Sequence, residues 1–98
     1  MTQLCLAPDP NPTTPSFAMP AGATDSHMHM FGLEPQFPYV DHRDYTPPEA
    51  GVEAVRKLYA TLGIQRVVVI QPSVYGSDNR CQLELGAALG MPFRAVVV

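Results

Sequence analysis

Apolar residues fall along this chain in distinct rhythms, and each rhythm predicts an element. From Ile64 to Ile70 they form a nearly continuous β-branched run, Val67, Val68, Val69 and Ile70. Such a run predicts a strand buried on both faces, as in a parallel sheet covered by helices. Ahead of it, Val55, Leu58, Tyr59 and Leu62 recur at three- and four-residue spacing, the stripe of an amphipathic helix. Thr46, Pro47 and Glu49 read as its N-cap, first helical residue and capping-box acid. Glu53 and Lys57 add a favourable pair four apart, and Gly63 reads as a left-handed C-cap. Cys81, Leu85, Ala88 and Leu89 predict a second helix from Ser77 or Asp78 to about Leu89, stopped by Gly90 and Pro92. Gly86 inside it allows close helix–sheet packing. Phe93 to Val98 predicts a third strand, again ending in a run of valines. Ala23 to His29 is a short, mostly polar candidate strand that periodicity alone barely supports.

The predicted order is β-α-β-α-β, with short crossovers and valine-rich strands, so the fold class is α/β with a parallel sheet. Residues 31–45 form a long loop holding Pro35, Phe37, Pro38 and Tyr39, either functional, as loops of that length often are, or a surface loop pinned by its aromatics. Residues 1–20 contain Pro8, Pro10, Pro12, Pro15 and Pro20, which deny the backbone a regular ladder. This segment is expected to be a disordered lead-in or a strap lying along one end of the sheet, with residues 21–98 as the packed domain. A parallel sheet ending on bare valines is an aggregation template. The expectation is therefore an incomplete domain that self-associates and unfolds without a sharp transition when isolated.

The formal charge of −3 is scattered and no basic patch exists, which argues against nucleic acid. No apolar stretch reaches the ~20 residues of a membrane span, and the N-terminus lacks the pattern of a signal peptide. Cys5 and Cys81 have no disulfide or zinc-knuckle spacing, which suits a reducing compartment. The expected location is the cytoplasm.

Asp25-Ser26-His27-Met28-His29 carries the sharpest chemistry. On an extended strand His27 and His29 point to one side, roughly 6–7 Å apart at Cα, so two imidazoles can converge on one ion or one substrate group. A divalent metal such as Zn²⁺ accepts such ligands and keeps a position open for water. Two histidines do not complete a site, and His42 lies in the long loop. Asp25 shares their parity. It either orients a ring N–H from behind or bonds a neighbouring backbone N–H at the strand's start. Gln71 to Asn79 follows the carboxyl end of the valine strand, where a βα barrel places its active site. Ser73, Tyr75 and Asn79 offer groups for substrate oxygens, while Ser77 and Asp78 read equally as helix caps. Tyr45 and Arg43 stand near the same rim, each readable as ligand contact or packing. Arg66 and Arg94 begin strands and belong to the opposite end. A dinucleotide or phosphate cradle is excluded, because no glycine-rich turn or Gly-Lys-Ser/Thr element follows a strand.

Asp25-Ser26-His27-Met28-His29-Met30-Phe31-Gly32, Phe37-Pro38-Tyr39, Tyr45-Thr46-Pro47 and Gln71-Pro72-Ser73-Val74-Tyr75-Gly76-Ser77-Asp78-Asn79, in that order, resemble the amidohydrolase-related family. The closer likeness is to its 2-pyrone-4,6-dicarboxylate lactonase-like branch, over about residues 21–98. The resemblance implies the N-terminal part of a distorted (β/α)8 TIM-like barrel that hydrolyses lactones or cyclic esters of dicarboxylic acids. It implies catalytic or metal-binding roles for His27 and His29. It also implies substrate-carboxylate contacts from Tyr45 and the Ser73–Asn79 loop, and further ligands and a general base from later strands. Branch members that work without a tightly bound metal imply that the cofactor is a divalent ion or none. The implied partner is a small carboxylate-bearing molecule. Decarboxylation of an aromatic or unsaturated acid, or a non-catalytic fragment, are the competing readings.

Overall fold

The valine run forms the centre of the sheet. In the computed structural model, which describes residues 3–98, the chain runs β1 (Gln3–Leu4), β2 (Thr24–Met28), β3 (Tyr45–Thr46), α1 (Val52–Leu62), β4 (Arg66–Ile70), α2 (Arg80–Ala88) and β5 (Phe93–Val96). Strands β2, β4 and β5 make an open, three-stranded parallel sheet in that order, each neighbour joined by a helical crossover. This is the β-α-β-α-β arrangement the pattern predicts, laid out like consecutive strands of a (β/α)8 barrel. The pattern did not foresee β1, which pairs in parallel with β3, Gln3 opposite Tyr45 and Leu4 opposite Thr46.

Val67 and Val69 bury one face of β4 against the helices, where they join Met30, Val55, Tyr59 and Leu89 in the main core. Val68 and Ile70 on the other face are only half-buried, because no helix covers that side. A second core of Phe37, Val74, Tyr75 and Cys81 lies under the long loop, with Phe31, Tyr39 and Tyr45 packed on it. The loop is thus pinned by its aromatics, as read. Gly86 lies so near β5 that a β-carbon there would stand 3.0 Å from the Phe93 ring, the close packing its position suggests.

Both helix starts differ from the reading. The capping box at Thr46–Glu49 does not form, since Thr46 is extended in β3 and its carbonyl accepts the Cys5 N–H at 3.0 Å. Ala50 then exchanges both backbone hydrogen bonds with Phe31, at 2.9 and 3.0 Å. With those groups committed, α1 begins only after Gly51, without a side-chain cap. Gly63 closes it in the left-handed conformation, φ 80°, with its N–H on the Tyr59 carbonyl. Helix α2 starts at Arg80, with Asp78 accepting the Arg80 N–H and guanidinium just ahead of the first turn. Arg80 in turn holds the Asp78 carboxyl down at about 2.

Residues 5–20 carry no regular element and run against the domain, Lys57 Nζ donating to Asn11 Oδ1 at 3.3 Å. With α1 and the edge of β2 they enclose a cavity of about 650 Å³ whose wall includes Pro8, Pro10, Pro12, Met28, His29 and Leu58. Arg66 donates to the Gly22 carbonyl at 2.8 Å, tying the amino ends of β2 and β4 together, as expected for the end away from the site.

Candidate active site

The histidine pair stands at the carboxyl end of β2. Met28 and Met30 face the helices, so alternation turns His27 and His29 to the opposite face. Their ring centroids are 5.2 Å apart and nearly perpendicular. His29 is half-buried and its Nδ1 lies 2.7 Å from the carbonyl oxygen of Ile70, the last residue of β4. A carbonyl can only accept, so Nδ1 carries the proton and donates, which leaves the lone pair on Nε2. His27 is exposed.

Asp25 is on the other side of the sheet from these rings. The pairing runs Asp25 opposite Val67 and Met28 opposite Val69, so three residues of β2 span what two span on β4. That bulge breaks the two-residue parity. Asp25 faces α1, where Oδ2 accepts the Tyr59 hydroxyl at 2.7 Å and Oδ1 accepts the His27 backbone N–H at 3.1 Å. Of its two readings, the geometry is the backbone-bonded carboxylate at the strand's start. The ring-orienting position is filled for His29 by the Ile70 carbonyl. Burial, then the Asp25 carboxylate, push the Tyr59 phenol strongly upward.

The rim residues divide. Tyr45 is half-buried in β3, edge-on to Phe31 with centroids 6.5 Å apart, and Phe31 in turn lies 6.2 Å from the His29 ring. Burial raises the Tyr45 phenol, and the Ser73 side chain beside it pulls the other way. Tyr45 and exposed Ser73 are therefore brought together, one aromatic ring away from His29. Tyr75 is not on the rim surface. It is 1 % exposed, and its hydroxyl accepts from Gly32 N–H at 3.1 Å and lies 3.2 Å from the Gly32 carbonyl. Desolvation and the neighbouring Cys81 thiol raise its phenol. It anchors the loop that follows the histidines. Asn79 spends its amide on the backbone, donating to Val98 and Ser77 carbonyls and accepting the Val98 N–H. It fastens the loop to the stretch after β5. Arg43 bonds Thr46 Oγ1 and the Val40 carbonyl and lies over the Tyr39 ring, holding the loop.

Two residues that pattern reading passed over shape this rim. Gln82 is fully buried and its amide takes the place of a neighbouring strand for Met30, accepting the N–H at 2.9 Å and donating to the carbonyl at 2.6 Å. Its signal was a polar residue on the apolar stripe of α2, one position from Cys81 and three from Leu85. Gln71, 9 % exposed, donates from Nε2 to the Gly76 and Asp78 carbonyls at 2.8 and 3.0 Å, while its buried Oε1 has no partner among the described residues.

A sequence model described as amidohydrolase matches residues 24–98. The chain belongs to the amidohydrolase family. This amidohydrolase is 41 % identical over 80 residues to a 4-sulfomuconolactone hydrolase of Rhizobium radiobacter, covering 82 % of the chain and 27 % of that relative. It is 40 % identical over 86 residues to a 2-pyrone-4,6-dicarboxylate hydrolase of Comamonas testosteroni, covering 88 % and 28 %. A crystal structure from Agrobacterium tumefaciens superposes on 93 % of the chain with a TM-score of 0.81 and 34 % identity, over 32 % of its own length. The amidohydrolase sequence thus spans less than a third of each of these proteins, and its likeness falls in the branch expected from the motifs.

As ligands, the imidazole pair of this amidohydrolase fits a divalent ion in part. A backbone carbonyl behind Nδ1 of His29 is the support that metal-bound histidines have. Among the described residues, however, no cluster of three or more His, Cys, Asp or Glu forms around them. None of the described helices is long and apolar enough to cross a membrane.

Proposed function

We propose that this chain supplies the first-strand imidazole pair and one carboxylate-binding rim of a hydrolase acting on lactones or cyclic esters of dicarboxylic acids. The observation that carries the reading is His29, held through Nδ1 by the end of β4 so that Nε2 is presented beside His27. The 41 % and 40 % identities to hydrolases whose names describe a muconolactone and a pyrone dicarboxylate support the substrate class.

In this reading His27 and His29 polarise the lactone carbonyl, directly or as ligands of a divalent ion such as zinc. Bound there, the ion would lower the pKa of water and draw electrons from the carbonyl. The protein's own contribution is positional. Ile70 fixes the His29 tautomer, and Phe31 sets its distance from Tyr45. Tyr45 and Ser73 then offer hydroxyl donors to a substrate carboxylate. Residues 21–98 serve as the barrel segment and residues 1–20 as its proline-rich lead-in. We place the protein in the cytoplasm, a reading supported by two free cysteines.

The test is turnover of 2-pyrone-4,6-dicarboxylate by the longest natural polypeptide that carries this sequence, followed by loss of pyrone absorbance with and without chelator. Hydrolysis is expected; a chelator-sensitive rate assigns the histidines to a metal, and an insensitive one to the carbonyl itself. No hydrolysis of any dicarboxylate lactone would overturn the reading.

A further inference from the structure

We propose that Gln71 is the positioning residue of the carboxylate-binding rim, setting the Ser73–Asn79 turn against the histidine-bearing strand. This rests on the hydrolase reading above and extends it to a residue that contacts neither histidine. Gln71 is the first residue past β4, and the strand's last residue, Ile70, holds His29. Its backbone N–H bonds the Val96 carbonyl of β5 at 3.0 Å. Both side-chain amide hydrogens are used on the turn, to Gly76 and Asp78. One residue thus joins the sheet, through its main chain, to the turn that carries Ser73, through its side chain.

The amide cannot be flipped without facing its oxygen to two carbonyls, so its orientation is determined. Its Nε2 satisfies two turn carbonyls, while among the described residues its buried Oε1 has no partner. The turn itself needs an outside hold. Gly76 stands at φ 54°, and the turn's own hydrogen bonds are the short-range Tyr75 to Pro72, Gly76 to Ser73 and Asp78 to Tyr75 contacts. The two Gln71 bonds hold the Gly76–Asp78 end of the turn to β4, beside the Asn79–Val98 pair and the Val40 N–H on the Val74 carbonyl, and so help set how far Ser73 stands from Tyr45.

The test uses Gln71→Met and Gln71→Glu in the same long polypeptide, with a dicarboxylate lactone and an uncharged lactone as paired substrates. Gln71→Met should raise KM for the dicarboxylate about tenfold, the loss of one polar contact to a charged group, with a much smaller change in kcat. The uncharged lactone should be affected far less. Gln71→Glu should recover affinity as pH falls, because only the protonated carboxyl can donate to Gly76 or Asp78. Equal losses for both substrates, or no loss, would overturn the proposal. A second readout stands apart from turnover. Backbone amides of Gly76 and Asp78 should exchange with solvent faster in Gln71→Met while those of β4 do not, and unchanged exchange would overturn the positioning role. Wild type hydrolysing neither lactone, with the exchange difference present, would sink the hydrolase reading and leave the hold on the turn intact.

Discussion

Gln82 and Asp25 show how single polar side chains build this site from behind. Gln82 satisfies both backbone groups of Met30, the residue that follows His29. Replacing it with leucine keeps the volume but orphans the buried Met30 N–H and leaves its carbonyl only the Cys81 thiol, at 3.5 Å. The expected loss is about 1–3 kcal/mol, the cost of one buried unsatisfied group, read as a lower urea midpoint. Tyr59→Phe removes one partner of the Asp25 carboxylate and should lower stability by about 1–2 kcal/mol, nearer the upper figure because the acceptor is charged. The histidine pair was legible because two residues two apart share a face by local geometry alone. Asp25 was assigned to that face on the same logic, which holds only for an unbroken ladder. A bulge depends on the partner strand's register, and nothing local in Asp25-Ser26-His27 announces it.

At the level of elements, the sheet, both helices and their order were readable, while the helix starts were not. A Thr-x-x-Glu motif competes for its backbone with whatever else can bind it. Here the tail takes Thr46 and Phe31 takes Ala50, long-range partners that no window around residue 46 contains. The C-terminal glycine of α1 was legible because a left-handed cap is a local property. The loop after the histidines depends on close contact of another kind. A β-carbon on Gly32 would run into the Phe37 ring, and Gly32 also holds the Tyr75 and Tyr39 hydroxyls. Gly32→Ala should therefore destabilise by about 1–3 kcal/mol through overpacking, with reduced protection of residues 31–39 in hydrogen exchange. Tyr75 was read as a rim group because a loop tyrosine after a strand gives no sign of depth. Its burial comes from Phe37, far away in sequence, and from Cys81 on the helix that follows.

Across the whole molecule, all four tyrosine hydroxyls are shifted upward, with burial as the first cause in each case and Tyr59 and Tyr75 the most affected. For such a group the neutral form is favoured by folding, so the linked stability is fully present below the unfolded value near 10 and is lost as pH rises above it. Denaturant midpoints should be insensitive to these groups at pH 8 and fall beyond pH 10. Phenolate absorbance of Tyr59 and Tyr75 should appear only with unfolding; early titration of all four would contradict their burial. The molecule-wide design is an open parallel sheet that delivers His27, His29 and Ser73 to the carboxyl end of its strands, with Tyr45 brought beside them through Phe31. The most direct measurement is lactone turnover by the longest natural polypeptide bearing His27→Ala and His29→Ala together, with circular dichroism confirming the fold. The account predicts that kcat/KM falls by about two to four orders of magnitude, the usual effect of removing positioned polar catalysts. Turnover within a few-fold of wild type would contradict it.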